Sequence, residues 1–280
     1  TDMAPATVQR YETSLKHTRD FVWETYHKKD VLLDEVSRQF IEDYEFWLKT
    51  EKKCCHNTAT KYLKNFKKII RIALAKGWMK NDPFLEIRFS LDKVEPDFLE
   101  DSEIQKLISK EIDIPRLSQV RDIFVFCCFT GLAFSDIHGL RKEHIVEDSN
   151  GVRWIRKGRQ KTKIMCNIPL MEIPLKILEK YSTNEYCKKH GVLFPVLCNQ
   201  KMNAYLKELA DICGIKKTLT THVGRHTFAT FALANGVSIE SVAKMLGHTN
   251  VQMTRHYARV LDRTVIREMS QIKMDLHFSM

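Results

Sequence analysis

The chain has 280 residues, room for two domains that each bury a core, and its 44% hydrophobic content is that of an ordinary soluble protein. It contains no run of about 18 apolar residues, which excludes a membrane-spanning helix, and Thr1-Asp2-Met3 lacks a signal-peptide core, so a cytoplasmic location is expected. A net charge of +10 points toward a polyanionic partner.

The first 92 residues read as helices. Phe40, Ile41, Tyr44, Trp47 and Leu48 recur at helical spacing, as do Tyr62, Leu63, Phe66, Ile69, Ile70 and Leu74, and both stripes are expected in a core. The other side of the second stripe carries Lys61, Lys64, Lys67, Lys68 and Arg71, either a solvated face or a row that follows a DNA backbone. Residues 1–92 hold 17 Lys/Arg against 14 Asp/Glu, so most of the positive excess falls in the remainder and both parts are able to meet phosphate. Gly77 and Asp82-Pro83 end this region. The polar stretch Leu91 to Asp97 is the expected linker, with Asp101 or Ser102 capping the next helix.

Further on, Val120 to Phe129 forms an apolar helix leading into Thr130-Gly131-Leu132-Ala133 and Ser135-Asp136-Ile137. Gly151 to Leu170 departs from helical spacing and predicts a β-hairpin around Lys157-Gly158-Arg159-Gln160-Lys161-Thr162. The chain is then helical again, punctuated by Gly214, Gly236 and Gly247. Eight cysteines give neither a disulfide framework nor C-x-x-C metal spacing, and Cys187 with His190 is a lone C-x-x-H, so reduced thiols and no metal are expected.

Thr221-His222-Val223-Gly224-Arg225-His226-Thr227, Leu246-Gly247-His248 and Tyr257 then bring together the groups needed to cut a phosphodiester without metal: a side-chain oxygen to attack and cationic donors for the non-bridging oxygens. Arg225 suits the clamp because a guanidinium binds two oxygens at once and stays charged. His222 is placed to bond phosphate or accept the tyrosine proton, and His248 to donate to the opposite oxygen. Tyr257, with a free pKa of about 10, needs nearby cations to ionise.

These segments, with Thr130-Gly131-Leu132 and Ser135-Asp136-Ile137, resemble the tyrosine recombinase (integrase) family. The resemblance implies a mainly α protein: a helical core-DNA-binding domain over 1–92, and over 93–280 a mixed, mostly helical catalytic domain with a small antiparallel sheet. It implies that Tyr257 forms a 3′-phosphotyrosyl link with no cofactor. Lys161 matches the hairpin lysine that protonates the leaving 5′-oxygen, with Lys157 as the competing candidate, and Asp136 matches an acidic residue supporting the site. Where the family places its first catalytic arginine this chain has Ala133. Arg159 is the first candidate to replace it, since residues two apart on a strand share a face and would set it beside Lys161; Arg141 is the second.

The expected function is site-specific recombination of double-stranded DNA, integrating or excising a mobile element, in a nucleoid-associated homotetramer on paired sites, with accessory DNA-bending proteins as further partners. Val260, Leu261, Val265, Ile266 and Met269 form a tail stripe that either packs on its own domain or, as the resemblance implies, docks on a neighbouring protomer. The alternatives are an inactive relative that only binds DNA, as Ala133 suggests, or a helix-turn-helix regulator built on Ser238 to His248 and Val251 to Ala258.

Overall fold

A computed structural model describes residues 3–257, and the tail stripe from Val260 to Met269 lies outside them. The chain divides into two compact units, Thr1–Glu95 and Pro96–Met280.

In the first unit, helices α1 (Pro5–Tyr26), α2 (Arg38–Thr50) and α3 (His56–Ala75) enclose an aromatic core. Pro5 supplies a ready-made first turn for α1, and the Ser37 hydroxyl caps α2 by accepting the Phe40 amide at 3.3 Å. Phe40, Ile41, Tyr44, Trp47 and Leu48 are all buried, and Phe21 meets Phe40 edge-on at 5.1 Å. The α3 stripe behaves differently: Leu63 and Ile70 are buried, but Ile69 is 52% exposed because it falls off the side of the helix that meets α2.

The lysines of α3 do not form one uniform face. Lys61, Lys68 and Arg71 are exposed, whereas the Lys67 ammonium donates to the Phe84 carbonyl at 3.3 Å and lies over the Phe84 ring. Lys64 leans over Phe89. The segment after Pro83 turns back along α3, and its aromatic rings draw in these two cations. None of the five pairs with a carboxylate among the described residues.

The second unit contains α4 (Asp101–Ser109), α5 (Pro115–Thr130), α6 (Phe134–His138), strands β1 (Ile145–Glu147), β2 (Arg153–Gly158) and β3 (Met165–Pro169), then α7 (Glu172–Tyr181), α8 (Glu185–His190), α9 (Asn199–Ile212), α10 (Thr221–Ala234), α11 (Ile239–Leu246) and α12 (Gln252–Arg255). The cap of α4 falls at Glu100, one residue before the expected position, because Glu103 reaches back to the Glu100 amide at 2.8 Å. Helix α5 is buried nearly all round and forms the centre of the unit. Helix α10 lies directly on it at Gly224, where an added Cβ would stand 3.2 Å from Cys127 Cβ.

The sheet is antiparallel in the order β1-β2-β3, with Ile145 opposite Ile155 and Ile155 opposite Ile168. Thus the predicted hairpin exists and gains a third strand. Leu99, at the entry to this unit, donates its amide to the buried Thr227 hydroxyl on α10 at 2.9 Å.

Candidate active site

The site is built around α10. Its first turn is held by Asn203, whose side chain accepts the Thr221 amide at 2.9 Å, and residues 222, 225 and 226 then fall on one face. Arg225 is only 2% exposed. Its Nη1 donates to the Gly131 carbonyl at 2.7 Å, and its Nη2 to the Leu246 carbonyl at 2.6 Å and to His248 Nε2 at 3.0 Å. These contacts engage three of the five guanidinium N–H groups. Burial lowers the Arg225 pKa, the neighbouring Arg159 lowers it further, and the charge and hydrogen bond of Tyr257 pull it back up. An arginine remains charged through such a shift.

Gly131 makes this arrangement possible. It ends α5 in the left-handed region at φ 66°, and a Cβ there would stand 2.4 Å from Phe228 and 2.7 Å from Leu246. The turn therefore packs against α10 and α11 with its carbonyl aimed at Arg225. Two residues on, Ala133 precedes α6 with a short side chain and no polar group.

A second guanidinium occupies the same pocket. Arg159 is buried, and its Nε lies 3.3 Å from Asp136 Oδ2, while Asp136 Oδ1 accepts the Gln160 amide at 2.9 Å. The strand alternation expected to place Arg159 beside Lys161 is absent, because β2 ends at Gly158. Beyond it Arg159 N–H bonds the Ile164 carbonyl, Lys163 N–H bonds the Arg159 carbonyl, and Lys163 turns the chain at φ 61°. Arg159 is thus held inward by the Asp136 tether, while Lys161 is exposed in the turn.

Gly247 completes the cradle. It caps α11 at φ 60°, and a Cβ there would meet Arg159 Cδ and Cys166 Sγ at 2.7 Å each. Arg141 lies elsewhere, with its Nη1 near Gly191.

Tyr257 is buried against Phe228, Ala229, Ala232, Val242 and Leu246. Its ring centre lies 5.1 Å from that of His226 and 6.1 Å from that of His248, to which it is nearly parallel. His222 stands edge-on to His226 at 4.4 Å. The surrounding protein lowers the His222 pKa, helped by Arg225, Arg159 and Lys161. Burial, with the two arginines, pushes that of His248 down to about 4, so His248 is neutral near pH 7.

His248 Nε2 lies 3.0 Å from Arg225 Nη2 and its Nδ1 lies 2.8 Å from the Thr254 hydroxyl, so both ring nitrogens have protein neighbours in this structure. Sequence reasoning gives His226 no role, although its spacing, four residues after His222, is the available signal.

The two candidate lysines lie apart. Lys157 Nζ donates to the Gly139 carbonyl at 2.8 Å and lies 3.4 Å from His144 Nε2; burial lowers its pKa. Lys161 is close enough to influence His222. The eight cysteines are free thiols, and no His, Cys, Asp and Glu cluster suited to a metal occurs among the described residues.

The arrangement agrees with comparison to known proteins. Residues 97–264 match the phage integrase family, and residues 1–91 match the phage integrase SAM-like domain. A tyrosine recombinase of Pseudothermotoga lettingae is 30% identical over 244 residues, spanning 84% of this chain and 82% of that protein. Tyrosine recombinase XerD of Shewanella oneidensis is 24% identical over 277 residues, 95% of this chain and 89% of its own length. Among solved structures, a lambda integrase dimer bound to a COC′ core site has a TM-score of 0.74 at 16% identity, covering 99% of this chain and 94% of that one. The Tn1549 transposon integrase in complex with circular intermediate DNA has a TM-score of 0.75 at 19% identity, covering 96% and 94%. The fold is that of these recombinases, and the chain belongs to the phage integrase family of tyrosine recombinases.

Proposed function

We propose that this recombinase cleaves DNA through Tyr257, with Arg225 and Arg159 as the cationic pair on the scissile phosphate and Lys161 as the acid for the leaving 5′-oxygen. The observation that carries this reading is the convergence, within one chain, of a buried tyrosine, two histidine rings and two guanidiniums. The Tyr257 oxygen attacks phosphorus, the bond to the 5′-oxygen breaks, and that oxygen takes a proton from Lys161. The bond energy is kept in the 3′-phosphotyrosyl link, and reversal by a second 5′-hydroxyl rejoins the strand. His222, at the rim, with its pKa lowered by burial and by the nearby cations, suits acceptance of the tyrosine proton. Asp136 aims Arg159 and anchors the turn that presents Lys161.

The substrate in this reading is double-stranded DNA, engaged in part by Lys61, Lys68 and Arg71, with four copies on two paired sites and accessory bending proteins assisting. Integration or excision of a mobile element is the outcome. No helix among the described residues is long and apolar enough to cross a membrane.

The test is covalent trapping on a nicked duplex. Wild-type protein should give an adduct that survives denaturation, and Tyr257→Phe should give none while binding the same duplex with nearly unchanged affinity. An adduct in the Phe variant would move the nucleophile elsewhere; binding without an adduct in the wild type would make the protein an inactive relative.

A further inference from the structure

The carbonyls at the end of α11 lead to two different parts of the site. That of Leu246 accepts Arg225 Nη2 at 2.6 Å, and the next, of Gly247, accepts the Thr162 hydroxyl at 3.4 Å from the turn that follows β2. We infer that Thr162 is a positioning residue that fastens the Lys161 turn to the end of α11, so that the ammonium serving the leaving oxygen is held in register with the guanidinium serving the phosphate. The inference rests on the acid role proposed for Lys161.

The shape of the turn gives the second fastening its purpose. On the amino side of Lys161, the Gln160 amide donates to Asp136 Oδ1 at 2.9 Å. The turn itself is closed by Lys163 N–H to the Arg159 carbonyl and Arg159 N–H to the Ile164 carbonyl, both at 2.9 Å. Lys161 stands exposed between Gln160 and Thr162. With the Asp136 tie alone the turn can pivot about the Gln160 amide, and a small backbone rotation becomes a large displacement at the tip of a flexible four-carbon stem. A tie on each side of Lys161 removes the pivot. Such fixed placement is what makes a nearby lysine an effective acid.

The acceptor is available because a helix end leaves its final carbonyls without intrahelical donors. Gly247 turns left-handed at φ 60°, and with no Cβ it lies directly against Arg159 and Cys166, within reach of the turn. At 3.4 Å the bond is long for a hydroxyl donor, as the bonds of catalytic elements often are before substrate tightens them. Thr162 is only half-buried, so loss of its hydroxyl should cost the fold little and show mainly in the placement of Lys161.

The experiment measures single-turnover adduct formation by the full-length protein on a nicked duplex with either oxygen or sulfur at the scissile 5′-bridging position. Sulfur leaves as a thiolate and needs no acid. Thr162→Val, which keeps the shape and removes the donor, should slow the oxygen substrate roughly 10-fold, the worth of about one hydrogen bond, and cleave the sulfur substrate at the wild-type rate. Thr162→Ser should match the wild type on both. In DNA-free protein, protection of the Gln160 and Lys163 amides from hydrogen exchange should fall roughly 10-fold in the Val variant and hold in the Ser variant. Equal slowing on both substrates would make Thr162 a merely structural residue and overturn the inference, as would a Val variant with wild-type rates or unchanged exchange. Should Thr162→Val fail to fold, Thr162→Ala decides by the same two readings. Failure of the acid role looks different: Lys161→Ala would then gain nothing from sulfur, while the exchange measurements, which involve no DNA, would still support or reject the docking of the turn.

Discussion

Replacing Arg159 by Ala separates two effects that the structure superimposes. The Arg159 and Asp136 side chains are 10% and 2% exposed and 3.3 Å apart, so the variant strands a buried carboxylate. Breaking such a pair typically costs about 3–5 kcal/mol; because Asp136 Oδ1 keeps its bond to the Gln160 amide at 2.9 Å, the lower end applies. For a domain of this size, a loss of about 3 kcal/mol lowers the melting temperature by roughly 6–12 °C. If Arg159 also meets the phosphate, removal of one preorganised donor should slow cleavage by about 10²–10³. Adding Asp136→Asn removes the stranded charge while preserving an acceptor for Gln160. The double variant should regain most of the stability and none of the rate. Thermal melts and single-turnover adduct formation on a nicked duplex measure the two separately. Arg159→Ala that is less stable yet cleaves at the wild-type rate would reduce Arg159 to a structural partner of Asp136, and so would recovery of the rate in the double variant.

Lys161→Ala should cleave ordinary DNA slowly and recover when the scissile 5′-bridging oxygen is replaced by sulfur, since a thiolate leaves without a proton; rescue of Lys157→Ala instead would reverse the two lysines. The His248 pKa, about 4 in the folded protein against an ordinary 6.5, fixes the sign of a stability change with pH. The unfolded chain takes up the proton first, so this contribution is complete above about 6.5 and is lost as pH falls toward 4. Urea midpoints at pH 7.5 and 5 should therefore differ more in the wild type than in His248→Gln, and equal differences would mean that His248 is not the group responsible.

Order and spacing of residue types carried the architecture well wherever many side chains acted together. The apolar stripe of α2 and the continuous apolar run of α5 left little choice about helix or burial, and the motif from His222 to His248 located the residues that converge on Arg225. Failures came where one local contact decided the outcome. Ile145 to Glu147 is too short to show a period and exists as a strand because Ile145 pairs across to Ile155. Strand alternation points to Arg159, but the side chain turns inward through a carboxylate 23 residues earlier. Lys64 and Lys67 look equivalent to Lys61 until the returning chain puts Phe84 and Phe89 beneath them. The surroundings of His248 are set by Arg225 on one ring nitrogen and Thr254 on the other, a three-body relation that no spacing expresses.

The guanidinium of Arg225 also binds the ends of α5 and α11 together through the Gly131 and Leu246 carbonyls. Its loss would leave two buried carbonyls without a donor, so a relative that bound DNA without cleaving it would still need the arginine in order to fold. Lys161, exposed in its turn, enjoys no such protection and would drift first. An intact arginine motif in a related sequence is therefore first a sign of a chain that folds, whereas the hairpin lysine, under the acid role proposed for it, is the more telling sign of cleavage.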